Sequence, residues 1–391
     1  MKENSRISGQ FLLWLGAAIS IAEIITGNLI APLGLAKGFL AILVGHILGC
    51  FVFLLPAAIM GGRQRRTAIA STHFAFGHLG VQLFSLLNAL QLIGWTAVMI
   101  ANAISALNGV SGRLFNFKSA LFMGLIMAAL LIFWLLINND WLFRINNLVV
   151  ALLFVGSLIM LWLVLRIPQH ASVLTGNSIT FGAAVELGVT MALSWLPLIA
   201  DYTSQTEEPI KVSWASTAGY FIGSLFMFSI GLLAAVRTGK TDITTILVSS
   251  GLGILALFII IFSTVTTTFL DAHSAAVNVH NIWKKLNLKW LASGVVLIGL
   301  IIALVVPLSL YQQFLYLIGS IFAPLYTIVF VNYFLLKRPL KIKLNFIFWL
   351  VGVVGYYWLQ QFNFILGTTT SELLLLGSIV WITGYFINRS K

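Results

Sequence analysis

Three carboxylates stand where carboxylates are expensive: Glu23, Glu186 and Asp271 lie within long apolar runs, and a fourth, Asp201, closes one. Near the middle of a bilayer an ionised carboxylate costs on the order of 3 kcal/mol or more, so it needs a partner, a cation or a proton. Glu23 is followed by Thr26, Gly27 and Asn28, a composition that lets a membrane helix unwind and expose carbonyls. Two readings are open for Glu23: a ligand for a substrate or cation, or a protonated group bridging two helices. Asp271 follows Thr267 by one turn, and His273, a backbone donor or a proton would each satisfy it.

Neutral chemistry accompanies these charges. Gln91 and Trp95 are one helical turn apart and project from one face, setting a flat aromatic surface beside an amide that both donates and accepts, which suits a planar heterocycle. Ser194 and Trp195 precede Pro197, whose missing N–H and crowding ring loosen the helix around them. Broken backbone at membrane depth must face protein or a wet cavity, so this turn is either a binding surface or a packing kink. Ser263, Thr264, Thr266, Thr267 and Thr268 crowd one segment. Hydroxyls often bond their own helix, but neighbouring threonines with a carbonyl also offer hard oxygen ligands for a dehydrated monovalent cation.

The elements that must position these residues are membrane helices. With 60% hydrophobic residues, 8% charged and a mean hydropathy of +1.03, the 391-residue chain has too little polar surface for a water-soluble globule. Twelve apolar runs are separated by short polar punctuation, the first keeping Glu23 inside it and so read as a retained helix rather than a signal peptide. The single cysteine, Cys50, excludes an intrachain disulfide. The sequence therefore predicts an all-α polytopic membrane protein forming one domain over 1–391.

Net charge is +12, but its distribution matters more than its sum. Sixteen Lys and Arg residues, among them Arg63, Arg65, Arg66, Lys284, Lys285, Lys337 and Lys341, fall on the side of the termini and six on the other. That bias places both termini in the cytoplasm and makes the basic clusters topology signals, with no nucleic-acid partner expected. There is no His-Glu-His cluster, no GxSxG and no workable pair of catalytic carboxylates, so no covalent chemistry is implied.

The order of these features resembles the nucleobase:cation symporter family, which includes cytosine permease and the hydantoin transporter, over nearly the whole chain. GAAISIAEIITG at 16–27 and ALSWLPLIADYT at 192–203 look most like the hydroxymethylpyrimidine transporters of thiamine-precursor uptake. The resemblance implies a five-plus-five inverted repeat, roughly 11–165 and 180–335, with discontinuous helices one and six and two additional helices at 344–387. It matches Trp95 to a stacking Trp of helix three, and Thr266 and Thr267 to paired hydroxyl ligands of a sodium site between helices one and eight, with Ser263 and Ala22 adding carbonyls. Departures are Val265 and Thr268 where the family has Trp and Asn, Met99 where the hydantoin transporter has Gln, and Ser204 where an Arg would follow Asp201 and Tyr202.

The expectation is a symporter of the cell's inner membrane that imports a small pyrimidine, most similar to hydroxymethylpyrimidine carriers, on a sodium or proton gradient. Trp95 and Trp195 would sandwich the ring, while Glu23, Ser194, Gln91 and Glu186 address its nitrogens and exocyclic groups. Ala22, Ser263, Thr266 and Thr267 form the candidate sodium site, with Asp271 as a proton carrier in the alternative. No cofactor beyond the coupling ion is expected. A cytosine or purine permease of the same fold, or a gradient-independent channel, are the competing functions.

Overall fold

The computed structural model describes residues 7–136, 139–166, 179–239 and 253–389, so Lys2, Arg6, Lys240 and Lys391 of the charge count lie outside the described residues. The described chain is almost wholly helical. α1 (Ile7–Ala18) and α2 (Ile21–Leu29) form a pair bent by 56°. α3 (Gly34–Ile47) runs through a π-helical stretch, Leu48–Leu54, into α4 (Leu55–Gln64), and the one-turn α5 (Ala68–Ser71) leads to the 42-residue α6 (His73–Leu114). α7 (Ala120–Leu136) and α8 (Asn139–Arg166) follow, then the broken pair α9 (Phe181–Leu193) and α10 (Leu196–Thr203), and α11 (Pro209–Thr238). The remaining helices are α12 (Gly253–Ile282), α13 (Leu288–Val305), α14 (Tyr311–Phe330), α15 (Ile342–Leu359) and α16 (Thr368–Arg389).

Among the described residues nine helical stretches are long and apolar enough to cross a membrane, and the bent α1–α2 pair makes a tenth. Burial separates centre from rim. The Phe181–Thr203 stretch is 94% buried over its most apolar window and Ile342–Leu359 only 22%, so the first is the hub and the second faces lipid. α1 lies along α11, α6 along α12 and α13, α3 on α9, and α14 against α15 and α16. Small residues permit the closest crossings: a Cβ on Gly219 would fall 2.3 Å from the Phe11 carbonyl oxygen, and one on Gly231 2.0 Å from that of Ile24.

The first helix breaks earlier than its sequence predicts. The expected opening at Thr26–Gly27–Asn28 is instead regular helix, and the chain leaves the helix at Ile19 and Ser20. Ser20 is extended (φ −136°, ψ 156°), and its hydroxyl accepts from the Glu23 N–H at 3.4 Å, starting a new helix with Glu23 in its first turn. Gly27 serves packing rather than unwinding, because a Cβ there would stand 2.1 Å from the Phe228 carbonyl oxygen. The other break falls where Pro197 puts it, at Ser194 and Trp195.

Candidate functional site

Breaking a buried helix frees carbonyls that must find donors. At the first break, Ser263 of α12 donates its hydroxyl to the Ile19 carbonyl at 3.1 Å. At the second, the Leu198 N–H turns to the Trp195 carbonyl, and Gln91 of α6 donates its amide to the Ser194 carbonyl at 2.8 Å. Each discontinuity is therefore braced by one polar side chain from a long neighbouring helix.

Between the two breaks lies a small cavity lined by Ser20, Ala22, Glu23, Trp95, Met99, Met191, Ser194, Trp195, Thr267 and Asp271. It offers about 20 Å³ to the centre of a water molecule, room for one, so its walls must part to admit a heterocycle. Trp95 comes from α6 and rests edge-on against Tyr311 and Phe314 at 6.0 and 5.5 Å. Trp195 comes from the α9–α10 break and meets Trp14 edge-on at 5.5 Å; Trp14 in turn meets Tyr202 and Tyr220, forming an aromatic cluster beside the cavity. The indole N–H of Trp95 is buried without a partner among the described residues, a donor available to a ligand.

The polar wall is rich in acceptors. Two carboxylates, Glu23 and Asp271, line it, and no Lys or Arg is buried among the described residues. Glu23 is held from α11: Tyr220 donates to one oxygen at 3.0 Å and Ser224 to the other at 2.7 Å. The Ser194 hydroxyl donates to the Met191 carbonyl at 2.6 Å and keeps its lone pairs. Of the hydroxyl run, Thr266 donates to its own helix, at the Phe262 and Ser263 carbonyls, whereas the Thr267 hydroxyl has no partner among the described residues. The Ala22 carbonyl accepts from Thr26 at 2.7 Å.

The structure thus brings Glu23, Trp95, Ser194, Trp195, Ala22, Thr267 and Asp271 to one cavity, with Ser263 and Thr266 on the adjoining turn of α12. Two expected substrate residues do not join them. Gln91 spends its amide on the Ser194 carbonyl and on Asn88, so it braces the break rather than lining the cavity. Glu186 faces away: it accepts from Tyr356 at 2.7 Å and from the hydroxyl and N–H of Thr369 at 2.5 and 2.9 Å, tying α9 to α15 and to the start of α16. A helix N-terminus with unpaired N–H groups is a better partner for a carboxylate than an apolar cavity wall. His273 does not pair with Asp271 but stacks on Phe269 at 5.8 Å. Asp201 caps α5 through the Ala68 N–H at 3.1 Å. Sequence reasoning missed Trp14, Tyr220 and His46; an aromatic or ionisable residue inside an apolar run was the available signal.

A bundle of membrane-spanning helices in which two broken helices meet over a polar, aromatic cavity is the architecture of a secondary transporter. A family model describing permeases for cytosine/purines, uracil, thiamine and allantoin matches residues 2–382, and the chain belongs to that family. It is 24% identical to the cytosine permease of Escherichia coli O157:H7 over 388 residues, 92% of this chain and 88% of that one. Among solved structures it is similar to Mhp1, a nucleobase-cation-symport-1 family transporter, in a closed conformation with bromovinylhydantoin bound (TM-score 0.74, 16% identity, 97% of this chain and 92% of that one). A Na+-coupled sialic acid symporter shares the fold at a TM-score of 0.66 and 12% identity, over 97% and 90% of the two chains.

Proposed function

We propose that this chain is a secondary active symporter that carries a small pyrimidine, hydroxymethylpyrimidine first among them, inward on a sodium gradient. It would sit in the inner membrane with both termini cytoplasmic. The observation that carries the reading is the placing of Trp95 and Trp195, from two different helical elements, on one cavity with Glu23 and Ser194. Aromatic faces reward a planar ring, while a carboxylate and a hydroxyl read its amino and hydroxyl groups. The cavity's surplus of acceptors favours a ligand that donates, as an aminopyrimidine does.

For the coupling ion, the unpartnered Thr267 hydroxyl beside Asp271 supports sodium, with the carbonyls of Ala22 and Ser263 and the Thr266 hydroxyl as the remaining oxygens. Asp271 is the carrier if the ion is a proton. A cytosine permease is the second reading, favoured by the relatives that match over most of their length. Uptake of labelled hydroxymethylpyrimidine and cytosine into proteoliposomes, with sodium and pH gradients imposed separately, tests all of this. Accumulation of hydroxymethylpyrimidine above its external concentration under a sodium gradient alone is the expected result. Flux that saturates poorly and needs no ion gradient would make the protein a channel.

A further inference from the structure

His46 is the one basic side chain among the buried described residues, and it lies on α3, away from the cavity lining. An ionisable group inside a membrane span is expensive, and this one is fully engaged. Nδ1 lies 2.7 Å from the Ile42 carbonyl oxygen and Nε2 lies 2.7 Å from the Ser224 hydroxyl. The Phe228 ring stands edge-on at 4.6 Å and blocks rotation of the imidazole. Ser224 then lies 2.7 Å from the second oxygen of Glu23. Three side chains on three helices thus form one chain, with the cavity at its Glu23 end.

We propose that His46 is a positioning residue that sets substrate specificity through Ser224, an inference that rests on Glu23 addressing the substrate. A serine side chain alone has three rotamers, and contact with Nε2 keeps the one whose oxygen also reaches Glu23. With Tyr220 holding its other oxygen, the Glu23 carboxylate is fixed in plane, and its remaining lone pairs keep one direction into the cavity. A fixed acceptor edge rewards an exocyclic amine and opposes a carbonyl at the same ring position, which is the difference between cytosine and uracil. A histidine that merely filled space between α3 and α11 would leave that discrimination unchanged.

The test is equilibrium binding of cytosine, uracil and hydroxymethylpyrimidine to the full-length protein in lipid nanodiscs, for wild type, His46→Ala, His46→Gln, Ser224→Ala and the double variant. His46→Ala weakens cytosine about tenfold, the worth of one hydrogen bond to a charged group, and uracil less than about twofold. Ser224→Ala does the same, the double variant is no worse than either alone because both act through one chain, and His46→Gln, which keeps an amide near Ser224, recovers part of the loss. Equal weakening of both bases, or no change in folded variants, overturns the inference. Where His46→Ala does not insert, His46→Gln decides against wild type and Ser224→Ala: a cytosine-selective loss smaller than that of Ser224→Ala supports the inference, and an unchanged cytosine-to-uracil ratio overturns it. A wild type that binds none of the three removes the proposed substrate class, and this inference with it, and the wild-type control distinguishes that failure from the others.

Discussion

Replacing Gln91 with Leu asks whether this residue braces the broken helix or touches the substrate. Pro197 has no N–H for the Leu193 carbonyl, and the Leu198 N–H bonds Trp195 instead, so the Ser194 carbonyl depends on the Gln91 amide at 2.8 Å. Gln91 and Ser194 are 5% and 4% exposed, so bulk water does not reach the carbonyl. A buried acceptor stripped of its partner costs about 1 to 3 kcal/mol in water-soluble proteins, whereas interhelical hydrogen bonds in membranes average roughly 0.6 and reach about 1.7 kcal/mol. The carbonyl sits on broken backbone, so the expected loss is about 1.5 kcal/mol, at the top of the membrane range. Thermal unfolding in nanodiscs, followed by tryptophan emission, measures it. Pro197→Ala supplies the missing N–H and lets the helix close towards Ser194, so in that background Gln91→Leu should cost clearly less, a coupling that a double-mutant cycle reads directly. Unchanged stability together with a selective loss of substrate affinity would refute the brace and return Gln91 to the substrate.

Other substitutions separate the remaining roles. Trp95→Ala should cost about 1 to 3 kcal/mol of pyrimidine affinity, the scale of base stacking, and Trp95→Phe less, measured by equilibrium binding. Glu23→Leu should abolish uptake and Glu23→Gln retain part of it, because the amide keeps one acceptor; normal transport by an inserted Glu23→Leu protein would remove the carboxylate from the mechanism. Thr267→Val should raise the sodium concentration needed for half-maximal uptake while substrate affinity at saturating sodium changes little, whereas a proton-coupled carrier would be indifferent to it. Glu186→Ala should lower the unfolding temperature, since it leaves the Tyr356 and Thr369 donors unpaired, yet alter pyrimidine affinity by less than about twofold.

Much of this arrangement was legible because membrane insertion makes polar residues conspicuous. Pro197 marked its break, the tryptophans marked the cavity, and Glu23 stood out by cost alone. What the sequence hid were choices between partners. Thr26–Gly27–Asn28 has the composition of an unwound turn, yet Gly27 is small because Phe228 presses on it, and the opening was supplied by the plainer Ile19–Ser20. Glu186 and Gln91 are as polar as any ligand, but a helix N-terminus and a stranded carbonyl, neither visible along a one-dimensional chain, claimed them. His46 sits in an otherwise apolar run, and its meaning depends on Ser224, a residue whose spacing with Gly219 and Gly223 reads as packing.

The central claim, that a planar pyrimidine is held between Trp95 and Trp195 where the two broken helices meet, is tested most directly by fluorescence. Hydroxymethylpyrimidine is titrated into the reconstituted protein, and indole emission is compared between wild type, Trp95→Phe and Trp195→Phe. A saturable change in wild type, diminished in each single variant and absent in the double variant, is the predicted result. An undiminished change in the double variant would place the ring elsewhere and contradict the account.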